Sequence, residues 1–163
     1  MLLKHMERKV MNVEKKLENL GLSLPKPPKP VAAYIPAVKT GNLIFISGQI
    51  PVVKGKLKYK GKVGRDLSVE EGYEAARICV LNALSIIKDM IGSLDKVKQI
   101  VRVVGYVNCS DDFEEPHKVV NGASELLVEI FGEKGRHARL ALGSNTLPLG
   151  AAIELEMIVE VEE

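Results

Sequence analysis

Two side chains near the C-terminus of this 163-residue chain have the types and spacing for small-molecule chemistry. Arg139 and Glu154 lie in the stretch 135–160, GRHARLALGSNTLPLGAAIELEMIVE, on either side of a Leu147-Pro148-Leu149-Gly150 connection. A guanidinium presents a planar fork of donors that can grip both oxygens of a carboxylate. A carboxylate held beside it can take a proton and return it. Spacing alone reads both as solvated strand positions, because Arg136 precedes one and glutamates alternate around the other. The flanks of Arg139, Ala138 and Leu140-Ala141-Leu142, read as buried, and a buried guanidinium needs an anionic partner. Glu154 or a ligand carboxylate would serve.

Other candidates carry less. Ser47 is the one serine in a tight, glycine-flanked setting, but no histidine–acid pair surrounds it, and a serine bonding backbone where a strand ends at Gly48 accounts for it. His5, His117 and His137 have no ligand-like spacing. The P-loop, dinucleotide-binding, zinc-protease and nucleophile-elbow motifs are absent. The lysines of GKLKYKGK around Tyr59 could touch phosphates, although a solvated loop explains them as well.

The elements that must position Arg139 and Glu154 follow from periodicity. Residues 11–20 read as a short amphipathic helix with Val13, Leu17 and Leu20 on one side, ended by Gly21. The PKPPKP run over 25–30 can be neither helix nor central strand and is expected to lie extended on the surface. Residues 41–51, GNLIFISGQIP, read as a strand apolar on both faces, and 55–64 as an exposed hairpin or loop. Ser68-Val69-Glu70-Glu71 is a capping box opening a helix that Gly92 stops. A second two-sided strand covers 96–107. Asp111 or Asp112 can cap the next helix, with Pro116 in its first turn and Gly122 inside its apolar stripe, where a close packing contact is expected. The C-terminal strand pair closes the chain.

That order predicts an α+β fold: one mixed sheet with two helices packed on one face. Two helices cover one face only, so the other needs a partner, and a closed homo-oligomer is the economical answer. Residues 1–30 form an N-terminal helix and proline-rich arm, and 31–163 the main domain. With 46% hydrophobic and 27% charged residues the composition is that of a soluble globular protein. A net charge of +2 supplies little of the field expected of a dedicated nucleic-acid binder. Cys79 and Cys109 lack a CxxC partner and read as buried, reduced thiols, which points to the cytoplasm. No apolar run approaches the roughly 18 residues of a membrane span.

GNLIFISGQIP, the Asp112-Phe113 before the second long helix, the Ala138-Arg139 pair and the LPLGAAIELE ending resemble the RidA/YjgF family of reactive-intermediate deaminases. The resemblance covers about residues 31 to 161. It implies a chorismate-mutase-like fold and a trimeric, barrel-like assembly with clefts between subunits. The implied reaction is hydrolysis of enamines and imines such as 2-aminoacrylate to 2-oxo acids and ammonia, with no cofactor and no metal. By the same resemblance Arg139 would bind the substrate carboxylate and Glu154 would position water and move protons. Tyr34 and His117 would shape the cleft, with Ser47 and Gly48 at its wall. The chain departs from the family pattern at Pro36, His117, His137 and Ala141, and looks like a longer branch with an N-terminal extension. Two other function classes stay open: an endoribonuclease or translation inhibitor, and a non-catalytic binder of small metabolites.

Overall fold

The structure, a computed structural model, describes residues 12–29 and 32–163. Met11 and Pro30, at the edges of the helix and arm expected from sequence, lie outside the described residues.

The longest helix starts where its capping chemistry dictates. The Ser68 hydroxyl accepts the Glu71 amide while the Glu71 carboxylate accepts the Ser68 amide at 2.8 Å, and α2 runs Val69–Ile91 until Gly92 turns it at φ 85°. Ahead of it, α1 (Val13–Asn19) is capped by Asn12 and buries Leu17. The strands are β1 (Ala37–Thr40), β2 (Leu43–Gln49), the small β3–β4 hairpin (Val52–Val53, Lys56–Leu57), β5 (Val97–Asn108), β6 (Ala138–Ser144) and β7 (Ile153–Val161). The third helix, α3, spans Pro116–Phe131.

Five strands form one mixed sheet in the order β1-β2-β7-β5-β6. Here the structure corrects the sequence reading: β6 and β7 do not pair with each other. Strand β5 inserts between them, antiparallel to β7 and parallel to β6, because α3 carries the chain back across the sheet before β6 begins. The α3 start is also corrected. Neither Asp111 nor Asp112 caps it; Glu115 holds the cap position without a side-chain bond, and Pro116 sets the first helical φ.

All the core lies between the sheet and the helices. Alternation sends Ile153, Leu155, Met157, Val159 and Val161 of β7 inward under α2, while the buried stripe Val119, Val120, Ala123, Leu126 and Leu127 puts α3 over β5 and β6. The close contact expected at Gly122 is present: a Cβ there would overlap the backbone carbonyl of Tyr73, so the missing side chain lets α2 and α3 touch. The opposite sheet face is open. Phe45 is 42% exposed, Leu140 40% and Leu142 43%, although the strand of Phe45 reads as apolar on both sides and the flanks of Arg139 as buried.

Candidate functional site

Arg139 stands on β6, the sheet edge, opposite Val103 of β5. Its side chain turns toward α3, where Nη1 donates to Asn121 Oδ1 at 2.8 Å and to Ser124 Oγ at 3.2 Å. A further contact fixes the donor pattern. His137 Nδ1 lies 2.6 Å from the Gly135 carbonyl and can only donate to it, so Nε2 accepts the Ser124 hydroxyl at 2.9 Å. Ser124 is therefore free to accept from the guanidinium. Burial, and secondarily the nearby Arg139 charge, hold the His137 pKa below its usual value, while its bond to Gly135 opposes them; the ring is neutral at pH 7. Arg139 thus rests on neutral oxygens, and no carboxylate among the described residues pairs with it. Its flanks, expected to be buried, are exposed in the single chain.

Glu154 occupies a different corner. It lies on β7 opposite Tyr106, between the inward-facing Ile153 and Leu155, and its carboxyl sits against Gly48. A Cβ at position 48 would overlap Glu154 Oε1, so only glycine leaves room for the acid. The ladder between β2 and β7 shifts register from Ile46 to Gln49, and Gly48, which meets the carboxyl, lies within this irregularity. Ser47 behaves as the sequence suggested: its amide and its hydroxyl both donate to Pro36 O at 2.9 Å. Burial, then the charge of Glu156, raises the Glu154 pKa above the ordinary glutamate value. Burial likewise pushes the Cys79 thiol up, with Glu154 adding to it, so that sulfur is inert as a nucleophile.

Gly48 and Ser47 also border a cleft of about 800 Å³, together with the 63% exposed Tyr34. Tyr34, Ser47 and Gly48 therefore line one cleft, and Gly48 also touches the Glu154 carboxyl. Arg139 is not among them. Glu154 is level with Leu142 of β6, three residues or about 10 Å along from Arg139, with β5 between. His117 lies in the exposed first turn of α3, and it is Asn121, one turn further on, that reaches Arg139. Sequence reasoning missed Asn121 and Ser124; their i,i+3 spacing on a helix was the available signal. Among the described residues, no cluster of three or more His, Cys, Asp or Glu side chains is placed to hold a metal ion.

The family model described as "YjgF/chorismate mutase-like, putative endoribonuclease" matches residues 14–161. This chain belongs to the YjgF (RidA) family. Protein TCP17 of Trypanosoma cruzi is 41% identical over 146 residues, covering 89% of this chain and 91% of the relative. A proposed endoribonuclease from Shewanella oneidensis superposes with a TM-score of 0.89 at 38% identity, covering 93% of this chain and all of that one. A 2-iminobutanoate/2-iminopropanoate deaminase of Dermatophagoides farinae is 27% identical over 142 residues, with 86% of this chain and 95% of the relative covered. YjgF membership accounts for the mixed α+β sheet with its helices on one face, and the match reaches back into α1, beyond the segment in which the sequence resemblance was recognised.

Proposed function

We propose that this YjgF protein hydrolyses small carboxylate-bearing imines and enamines of the 2-aminoacrylate type to 2-oxo acids and ammonia, as a homotrimer whose sites combine two copies. The observation that carries the reading is the exposed Arg139 guanidinium, seated on Asn121 and Ser124 with no counter-charge among the described residues. That is a prepared seat for a ligand carboxylate. The naming of a family relative as an imine deaminase supports the reaction class.

The chemistry asks little of the protein. An enamine gains a proton at its terminal carbon, and an imine gains one at nitrogen, to become the same iminium ion. Water then adds to the iminium carbon, one of its protons passing to Glu154, and a neutral aminoalcohol results. Glu154 returns that proton to nitrogen, the carbon–nitrogen bond breaks with loss of ammonia, and the hydroxyl releases its proton to water to leave the carbonyl. A pKa raised above the ordinary glutamate value makes Glu154 a stronger proton acceptor than a free carboxylate. Arg139 fixes the carboxylate so that the carbon meets the water in one orientation. Tyr34 covers the reacting group, and no cofactor enters any step.

Assembly is part of the proposal. The apolar side chains of the open sheet face, Phe45, Leu140 and Leu142, are what a second copy would cover, and a neighbour docked there could carry its Arg139 to this chain's Glu154. The free, buried Cys79 and Cys109 suit a reducing compartment such as the cytoplasm. Among the described residues no helix is long and apolar enough to cross a membrane.

Endoribonuclease names among relatives raise RNA as a substrate, but a net charge of +2 offers little attraction for a polyanion. Ammonia release from 2-aminoacrylate generated in situ tests the proposal. Wild type is expected to exceed buffer clearly, and Arg139→Ala to lose about 100-fold in kcat/KM. Equal rates for wild type, variant and buffer would remove the deaminase reading.

A further inference from the structure

The part of the arm that follows α1, over residues 20–29, is held in place rather than trailing. The Val13 amide donates to Asp95 Oδ1 at 2.8 Å and Glu14 lies 3.7 Å from Lys88, which fastens α1 at the C-terminal end of α2. From there Leu22 and Leu24 pack against the core, and the chain continues over Ser23–Lys29 along one side of the 800 Å³ cleft. Val52 and Val53 of the hairpin and Ile78 and Leu81 of α2 supply other walls, and the cleft reaches Gly48, where the Glu154 carboxyl sits.

Size and chemistry of this space say what fits it. A three-carbon imine occupies on the order of a tenth of the volume at liquid packing density. The walls are leucine, valine, isoleucine and proline, and the amide nitrogen of Asn82 is already committed to Ile50 O and Val52 O at 3.1 Å each. Exposed Lys26, Lys29 and Lys54 border the cleft, a distribution that favours an anionic ligand with an apolar body.

We infer that the arm 22–29 forms a wall of the substrate cleft, and that the cleft takes the bulky apolar side chain of an imino acid. The chain would then favour branched or aromatic imines over 2-aminoacrylate. This rests on the deaminase reading for its reaction, though not for its binding test.

The experiment fills the cleft from two sides in the full-length chain, with Ser23→Trp on the arm and Val53→Trp on the hairpin, both at exposed positions. Imines are made in situ from leucine by an amino-acid oxidase, and 2-aminoacrylate is run in parallel. Wild type is expected to prefer the leucine-derived imine by about 10-fold in kcat/KM, and each variant to erase that preference. Unchanged ratios in the variants overturn the inference, as does a wild-type preference for 2-aminoacrylate. If wild type turns over neither imine, the deaminase reading fails. Calorimetry with 4-methyl-2-oxopentanoate and pyruvate then decides the cleft: tighter binding of the branched acid, lost in both variants, supports it, and equal affinities overturn it.

Discussion

At the β6 edge the Arg139 guanidinium is exposed and held by the neutral oxygens of Asn121 and Ser124, whereas on β7 the Glu154 carboxyl is half-buried and its pKa is lifted by burial and by Glu156. Among the described residues, the first corner has a cation without an anion, and the second an acid that no cation steadies. Neither is stable chemistry for its own sake: a guanidinium tied to neutral acceptors and a carboxyl pressed toward protonation both gain from a ligand that supplies the missing charge or proton. The difference teaches that the two residues stand apart in one chain, separated by β5 and by three residues of register, so the shared site proposed above requires two copies.

Three substitutions break or sharpen that comparison. Gly48→Ala acts on the acid corner alone. Its Cβ would overlap the far end of the Glu154 side chain, which can swing aside, so stability is expected to change by about 1 kcal/mol or less. The carboxyl is displaced by about its own radius, and kcat is expected to fall about 100-fold. Wild-type kcat in this variant would mean that Glu154 does not sit at the reacting atoms.

Asn121→Ala acts on the cationic corner alone. It removes one neutral acceptor from Arg139, and about 1 kcal/mol of positioning corresponds to a roughly 5-fold rise in KM with kcat nearly constant. A fall in kcat with constant KM would place Asn121 in the chemistry rather than in the carboxylate seat.

The smallest effect is on pH. Glu154 must be ionised to accept the water proton, so the rate falls as pH drops through its folded-state pKa. Because that pKa is raised, the acid limb of kcat/KM is expected above the ordinary glutamate range. Glu156→Gln removes the second of the two causes and leaves burial, so the limb shifts to lower pH without reaching the unperturbed value. A limb that stays put or rises would show that another group controls it.

Local rules carried much of the fold. Ser68 and Glu71 announced α2, Gly122 announced the contact between α2 and α3, and the alternation of β7 announced its buried side. The strand order was not local information. Sequence neighbours β6 and β7 looked like a pair, but α3 returns the chain so that β5 takes the place between them, and nothing in either strand encodes that choice. The start of α3 was hidden for a related reason: two aspartates compete for the cap, and the turn that bonds the Phe113 amide to Ser110 O uses up the stretch they occupy. At the site, Arg139 and Glu154 stood out by residue type, whereas Asn121 and Ser124 matter only because α3 lays them beside β6. The proline arm likewise read as an exposed spacer, since its role as a cleft wall depends on where α1 docks.

Mixing the two defective halves tests the central claim most directly. Arg139→Ala and Glu154→Gln chains are each expected to be nearly inactive in ammonia release from 2-aminoacrylate. Unfolded and refolded together at equal amounts, they would form mixed trimers in which about one quarter of sites receive an intact arginine from one copy and an intact glutamate from another. The account predicts recovery to about a quarter of the wild-type rate. A mixture no more active than the two variants alone would contradict it, because the two residues would then not meet across copies.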